Sequence, residues 1–377
     1  MGGQDVIVVG GGIIGCASAY YLSRRDLRVT LLDQGAFSNP QASSCDHARV
    51  FSLSHGKDIF MSELAVRTLP LWKELQHSCH EELLHQNGVL ELAAGDGKHE
   101  HAGLRALKEI GAPVQEFEGA AACERYRVLR RKSFRFAVQH PDGGIIWAKK
   151  AIETFVKLGG RGRIRLEEGA RIVQVQRGAD GIQGLRDGRG RTWRAKHYVF
   201  AAGAWTKEIL GAFRVPLTVT RQECLYFRPP RNQGRYRPNH LPVFAVSKRG
   251  IWGLPVHIHG FMKLECFQKG PPVRSISLPL APDSRFEGKV RALLKEFLPD
   301  LWDFVDVEGK VYLYTRTPDG DFILDRLPGQ PNAVIAVGFS GNGPMFAPLV
   351  GQTVAELVCG EKPSVNLHRF RFGRFKR

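Results

Sequence analysis

Asp5-Val6-Ile7-Val8-Val9-Gly10-Gly11-Gly12-Ile13-Ile14-Gly15 stands at the head of the chain, and its reading decides the fold. The short, nearly all-apolar run before Gly10 is the pattern of a strand buried on both faces of a parallel sheet. Gly10, Gly12 and Gly15 make G-x-G-x-x-G, and Ile13, Ile14, Ala17, Ala19, Tyr20 and Leu22 continue as a helix packed on that strand. Arg28-Val29-Thr30-Leu31-Leu32-Asp33 is a second β-rich run, and its acid lies 18 residues past the last glycine, the spacing of a βαβ unit. Each part has a physical task. Gly10 makes a tight turn, Gly12 lets the backbone approach a pyrophosphate, Gly15 lets helix and strand pack closely, and Asp33 takes a ribose hydroxyl. The helix N-terminus adds unpaired N–H groups and the positive end of a dipole. The motif predicts a dinucleotide without choosing between FAD and NAD.

Around this unit the composition is that of a folded protein. The 377 residues suffice for two or three domains with real cores, and 43% apolar with 24% charged residues exclude a disordered or collagen-like chain. Lysine and arginine number 54 against 37 aspartates and glutamates, so the net charge of +17 favours anionic cofactors, substrates or partners. The seven cysteines lack C-x-x-C spacing, which indicates neither a zinc site nor a disulfide framework, and no metal is expected. No apolar run approaches the roughly 20 residues of a membrane span. The N-terminal apolar stretch is broken by glycines, unlike a signal peptide. The expectation is a soluble, cytoplasmic protein, monomer or homodimer, with no membrane partner.

Further along, residues 60–78 and 148–158 have helical periodicity, and Gly88 to Leu92 reads as a strand. Ile172 to Gln176 and Tyr198 to Gly203 read as strands separated by a polar hairpin region. From Leu217 to Phe267 alternating strands suggest a meandering antiparallel sheet inserted between halves of an α/β unit. Ala333 to Gly338 is another buried strand, followed by Phe339-Ser340-Gly341-Asn342-Gly343-Pro344 and a helical run to Val358. Pro344 suits the first turn of that helix, which aims a second dipole at an anion. The basic stretch Arg125 to Arg135 has interleaved aromatics, but it reads as a solvated loop and strand, and no separate nucleic-acid module is visible.

The chain resembles the FAD-dependent amine oxidases typified by monomeric sarcosine oxidase, N-methyltryptophan oxidase and pipecolate oxidase, within the D-amino-acid-oxidase-like flavoproteins. The likeness runs along almost the whole chain. It is carried by the opening strand and glycines, Ser43-Ser44 to Arg49, Gly88-Val89-Leu90, Gly143-Gly144-Ile145-Ile146 and Ala202-Gly203-Ala204-Trp205-Thr206. Ile251-Trp252-Gly253-Leu254-Pro255, Met262-Lys263-Leu264, Tyr314-Thr315-Arg316-Thr317-Pro318-Asp319 and Gly338 to Gly343 complete it. The resemblance implies an α/β protein: a Rossmann-like FAD domain from 1–85, 145–215 and 317–377, and a mixed, largely antiparallel substrate domain from 86–144 and 216–316. It implies hydride transfer from a C–H bond beside an amine nitrogen to FAD, hydrolysis of the imine, and reoxidation by dioxygen to hydrogen peroxide. Lys263 matches the lysine that assists oxygen, as a fixed cation stabilising superoxide, and Arg49 matches an arginine close to the flavin. The resemblance further carries Ile13, Ile14, Gln34, Ser43, Ser44, Ile172, Ala202, Gly203, Trp205, Gly338, Gly341, Asn342, Gly343, Pro344 and Met345 to the cofactor.

Departures bear on the substrate. Tyr312 stands where the family has its covalent flavin cysteine, so the FAD is expected to be non-covalent. Ser52 and Met345 replace the arginine and lysine that clamp a substrate carboxylate, which argues against the same amino-acid pose. Phe267 and Cys45 replace active-site histidines, and His47, His257 and His259 could stand in. The resulting expectation is oxidation of a secondary or cyclic amine. The alternatives are a dehydrogenase using another electron acceptor, a flavoprotein with reduced catalysis acting as an assembly partner, and an enzyme acting on a modified RNA base.

Overall fold

The computed structural model describes residues 4–37, 39, 42–159, 163–257, 260–273, 276 and 282–375. Gln4–Val9 lies inside a six-stranded sheet ordered Ile323–Leu327, Gln330–Val337, Ala195–Phe200, Gln4–Val9, Val29–Leu32, Ile164–Glu167. All neighbours in it are parallel except the first pair. The all-apolar run follows from what covers each face. Side chains alternate along a strand, so Val6 and Val8 join the core under helices Ile13–Ser23, Ala148–Gly159 and Gly343–Cys359. Ile7 and Val9 join the opposite core, capped by a hairpin of Ile172–Gly178 and Gly181–Asp187. At Gly351 a Cβ would sit 2.7 Å from the backbone of Ala17, so small residues let the first and last helices cross closely.

The second sheet has eight strands, ordered Val305–Arg316, Thr218–Arg228, Met262–Cys266, Ile251–Leu254, Val243–Val246, Val89–Leu92, Phe136–His140, Gln115–Glu118. It is antiparallel except where Val243–Val246 pairs with Val89–Leu92. Helix Ser284–Phe297 packs into the core of this sheet. A small sheet of Arg49–Phe51, Gly144–Ile146 and Leu84–His85 also forms. The architecture is thus the mixed α/β one expected, with two differences in connectivity. Thr218–Arg228 does not continue a meander into Val243–Val246, because the twelve-residue Val305–Arg316 offers a longer partner on one side and Met262–Cys266 pairs on the other. The polar region after Ile172 itself contains Gly181–Asp187, turned by Gly181 at φ +132°, while Ala195–Phe200 goes to the six-stranded sheet.

The basic C-terminal segment is docked. Arg369 bridges Asp58 and Asp321, and Phe370 stacks on Phe322 with centroids 3.8 Å apart. The cysteines make no disulfide, and among the described residues no cluster could hold a metal and no helix is long and apolar enough to cross a membrane.

Candidate active site

Two helix N-termini define the site. Gly10 turns the chain at φ +109°, where a Cβ would lie 2.5 Å from the Ala201 carbonyl oxygen. Helix Ile13–Ser23 then starts at Gly12 with no side-chain cap from that residue, and Ile13 N–H donates to Ser44 Oγ at 3.0 Å. Helix Gly343–Cys359 starts at Asn342, also without a side-chain cap, with Pro344 in its first turn. Both ends border one trench of about 1120 Å³, partly open to solvent. Two positive dipole ends at one trench make it a receptor for anionic groups.

The trench runs from Asp33 and Gln34, beside Ala170 and Ile172, past Ala202, Gly203 and Trp205, to Arg49, Gly338 and Gly341. Asp33 accepts from Gly11 N–H at 2.7 Å and Gly35 N–H at 2.8 Å, while burial pushes its pKa up. A Cβ at Gly203 would meet nothing within 4 Å, so the wall there is bare backbone with room for a ligand. This floor of glycine backbone, with an acid at one end and a guanidinium at the other, fits an elongated dinucleotide such as FAD. Gly10, Gly12, Ile13, Ile14, Ser43, Ser44, Gly343 and Pro344 also line it. Ser43 and Ser44 already have protein partners, Ser43 Oγ donating to the Leu313 carbonyl and Ser44 Oγ accepting from Ile13. Gly15, Asn342 and Met345 do not line the trench; Met345 is buried and its carbonyl accepts from Trp72 Nε1 at 3.0 Å.

At the Arg49 end lies a buried four-charge cluster. Lys263 is fully buried, with Ala48 O at 2.9 Å, Asp46 Oδ2 at 2.9 Å, and Glu265 Oε2 as its third acceptor. Arg49 donates to Glu265 Oε2 at 3.0 Å and to the Ser43 carbonyl, lies 3.5 Å from Asp46 Oδ2, and stacks 4.0 Å from the centre of the Tyr312 ring. Asp46 also accepts from Tyr226 Oη at 2.7 Å and Tyr312 Oη at 2.6 Å. Burial alone would raise the Asp46 pKa, but Lys263, Arg49 and the Tyr312 hydroxyl hold it well below the carboxylate range. Burial likewise works against the charge on Lys263, as does Arg49, yet the two carboxylates raise its pKa. The cation that the resemblance assigns to oxygen is thus paired with two carboxylates, and it does not line the trench. Sequence reasoning did not single out Asp46, Tyr226 or Glu265. Glu265 stands two residues from Lys263 in one strand, hence on the same face, and that spacing was the available signal.

Tyr312 is buried, its hydroxyl shared between Asp46 and Cys224 Sγ at 3.0 Å, and burial pushes its pKa well up. His257 sits with its ring 6.0 Å from that of Tyr226, its Nδ1 2.7 Å from the Pro255 carbonyl oxygen, and burial lowers its pKa to about 4. His259 lies outside the described residues. Ser52 points into a buried polar group: its hydroxyl donates to Ser54 O at 3.2 Å and lies 3.5 Å from His140 Nε2. His140 is 4.0 Å from Glu91, which accepts from Ser54 Oγ at 3.2 Å. Burial pushes Glu91 up to about 8 and His140 down to about 3, so both are neutral near pH 7.

A carboxyl whose folded pKa exceeds its unfolded one makes folding less favourable as pH climbs between the two values. Below pH 6.5 the depressed His140 opposes this trend, because stability rises there as the unfolded imidazole loses its proton. From pH 6.5 to 8, then, Glu91 acts alone of the pair. Its effect over that interval is about 2 kcal/mol of lost stability. In Glu91→Gln this decline should vanish from urea unfolding curves taken at the two pH values. An unchanged decline would show that Glu91 is ionised in the folded protein.

Comparison with known proteins places these features in context. Residues 5–357 match the model of the family described as DAO, FAD dependent oxidoreductase. Peroxisomal sarcosine oxidase of Homo sapiens is 30% identical over 98% of this chain and 96% of its own. N-methyl-L-tryptophan oxidase of Yersinia pestis is 27% identical, with 99% of each chain covered. Among solved structures, L-proline dehydrogenase from P. horikoshii superposes with a TM-score of 0.88 at 22% identity, covering 100% of this chain and 98% of that one. Glycine oxidase from Geobacillus kaustophilus gives 0.83 at 21% identity, with 99% of each chain covered, and these two likenesses establish a shared fold.

Proposed function

Because the chain belongs to the FAD-dependent oxidoreductase family, we propose that it holds FAD non-covalently along the trench and oxidises the C–N bond of a secondary or cyclic amine to an imine. The observation that carries this reading is the convergence of two helix N-termini, Asp33 and Arg49 on one glycine-walled trench. The relatives named as oxidases of sarcosine and N-methyl-L-tryptophan support the amine. FAD, when bound, supplies a two-electron acceptor for the hydride beside the amine nitrogen.

This chain's residues do the rest. Gly10 and Gly12 let the backbone approach the pyrophosphate, the helix ends stabilise its charge, and Asp33 accepts from ribose hydroxyls. Arg49, at the trench wall, would meet the far end of the cofactor with a guanidinium already paired to Glu265 and Asp46. Residues 1–85, 145–215 and 317–377 form the cofactor unit in this reading, and 86–144 and 216–316 the substrate unit. Ser52 is engaged with neutral groups and Met345 carries no charge, so neither clamps a carboxylate. A substrate whose far end is uncharged suits them. Tyr312 Oη is committed to Asp46 and Cys224, which leaves FAD without a covalent anchor there. Dioxygen, giving hydrogen peroxide, is one acceptor for the reduced enzyme and a different electron carrier the other, and the surroundings of Lys263 bear on the choice.

The purified protein should be yellow, and acid precipitation should leave its FAD in the supernatant. Anaerobic mixing with a panel of secondary and cyclic amines should bleach the flavin with at least one of them, ahead of sarcosine. A colourless protein that stays so after FAD is added, or a flavin that no amine bleaches, would sink the proposal.

A further inference from the structure

We infer that Asp46 and Glu265 hold back the reaction of the reduced enzyme with dioxygen by neutralising Lys263, an inference that rests on FAD occupying the trench. An ammonium has three N–H donors and no acceptor. The Ala48 carbonyl, Asp46 Oδ2 and Glu265 Oε2 supply three acceptor oxygens around Lys263 Nζ. Arg49 is engaged in the same way, by Glu265, Asp46 and the Ser43 carbonyl. Two cations therefore face two carboxylates, all four at most a tenth exposed, and the cluster sums to zero. The next cation, Lys310, is one-third exposed, lies 3.7 Å from Asp46 Oδ1, and has Glu308 at 3.9 Å as its own counter-charge.

The balance of the oxidative step shows why this matters. The anionic reduced cofactor, dioxygen and one proton give oxidised cofactor and hydrogen peroxide, two electrons passing in all. The first electron turns neutral dioxygen into superoxide, so a fixed cation with a free donor lowers the barrier where charge develops. Lys263 offers no free donor, and its charge is compensated within 2.9 Å. Asp46 and Glu265 act here as positioning residues, setting the field through the lysine.

The test uses the FAD-loaded protein, reduced photochemically so that no amine is needed, then mixed with aerated buffer. Glu265→Gln gives the cluster a net positive charge and should reoxidise at least about tenfold faster than the natural protein. Lys263→Met in the Glu265→Gln background should abolish the gain, because one cation then again faces one carboxylate. Sulfite gives a second readout, because it adds to oxidised flavin as an anion and its binding reports uncompensated positive charge. It should bleach Glu265→Gln at about tenfold lower concentration than the natural protein. Asp46→Asn makes the same change of charge from the loop before Arg49–Phe51 and serves if Glu265→Gln fails to retain FAD. The inference is overturned if the double variant keeps the gain, or if the carboxylate variants leave both rate and sulfite affinity unchanged. A protein that takes up no FAD overturns the functional reading with it, whereas a yellow protein with unresponsive variants overturns this inference alone.

Discussion

Gly15→Val should purify without cofactor. A Cβ at this position would sit 1.8 Å from the Gly10 carbonyl oxygen and 3.0 Å from its carbon, both backbone atoms that cannot rotate away. Helix Ile13–Ser23 must then withdraw from strand Gln4–Val9, and the Ile13 N–H loses its alignment with Ser44 Oγ and with the trench. Overpacking of this kind costs about 1–3 kcal/mol of stability. The larger effect falls on FAD, whose affinity should drop by about 100-fold or more, since several N–H contacts to one pyrophosphate are misdirected together. Flavin absorbance per protein and the melting temperature measure the two effects. Gly211→Ala is the control: its Cβ would meet nothing within 4 Å, so colour and stability should stay close to those of the natural protein. A yellow Gly15→Val protein with unaltered FAD affinity would remove the pyrophosphate from this turn.

Arg49→Leu should be the most destabilising single change in the charged cluster. It leaves Asp46 and Glu265 to share Lys263, and an uncompensated buried charge costs about 3–5 kcal/mol. The remedy is as informative as the injury. Arg49→Leu with Glu265→Gln restores one cation to one carboxylate and should recover most of the loss in urea unfolding. A double variant no better than the single would mean that packing against Tyr312, not charge, sets the cost. Acid offers a second readout. The Asp46 pKa is depressed in the fold, so the stability it contributes is fully present above its unfolded value near 3.8 and falls away as pH drops below it. Without Arg49 the surplus carboxylate can take up a proton at milder acidity, so the gap between Arg49→Leu and the natural protein should narrow from pH 7 to pH 4.

How much of this could be read from residues alone depends on the distance over which the chemistry is assembled. The strand, glycine turn and helix of residues 4–23 are local, and each choice there agrees with the next. The same holds at Gly338 to Pro344. The cluster around Lys263 is different. Glu265 lies 216 residues from Arg49, and Asp46 lies 266 from Tyr312 and 180 from Tyr226, so no periodicity joins them. Their meeting depends on Thr218–Arg228 pairing with both Met262–Cys266 and Val305–Arg316, the connection that a simple meander misplaced. Ser52 shows a further limit. The resemblance puts it where relatives hold a substrate carboxylate, and only the Ser54 carbonyl and the His140 ring, the latter 88 residues away, reveal that its hydroxyl is already engaged.

The order of strands in the six-stranded sheet carries a consequence for how the protein is made. Gln4–Val9 is synthesised well before its neighbour on one side, Ala195–Phe200, which in turn needs Gln330–Val337. The nascent chain must carry Gln4–Val9 with one edge open until Ala195–Phe200 has been synthesised. Helix Gly343–Cys359, the second to border the trench, follows later still. A cofactor held by both helix ends would therefore be captured only after Gly343–Cys359 has emerged, and an edge exposed for so long gives chaperones a reason to attend this chain during synthesis.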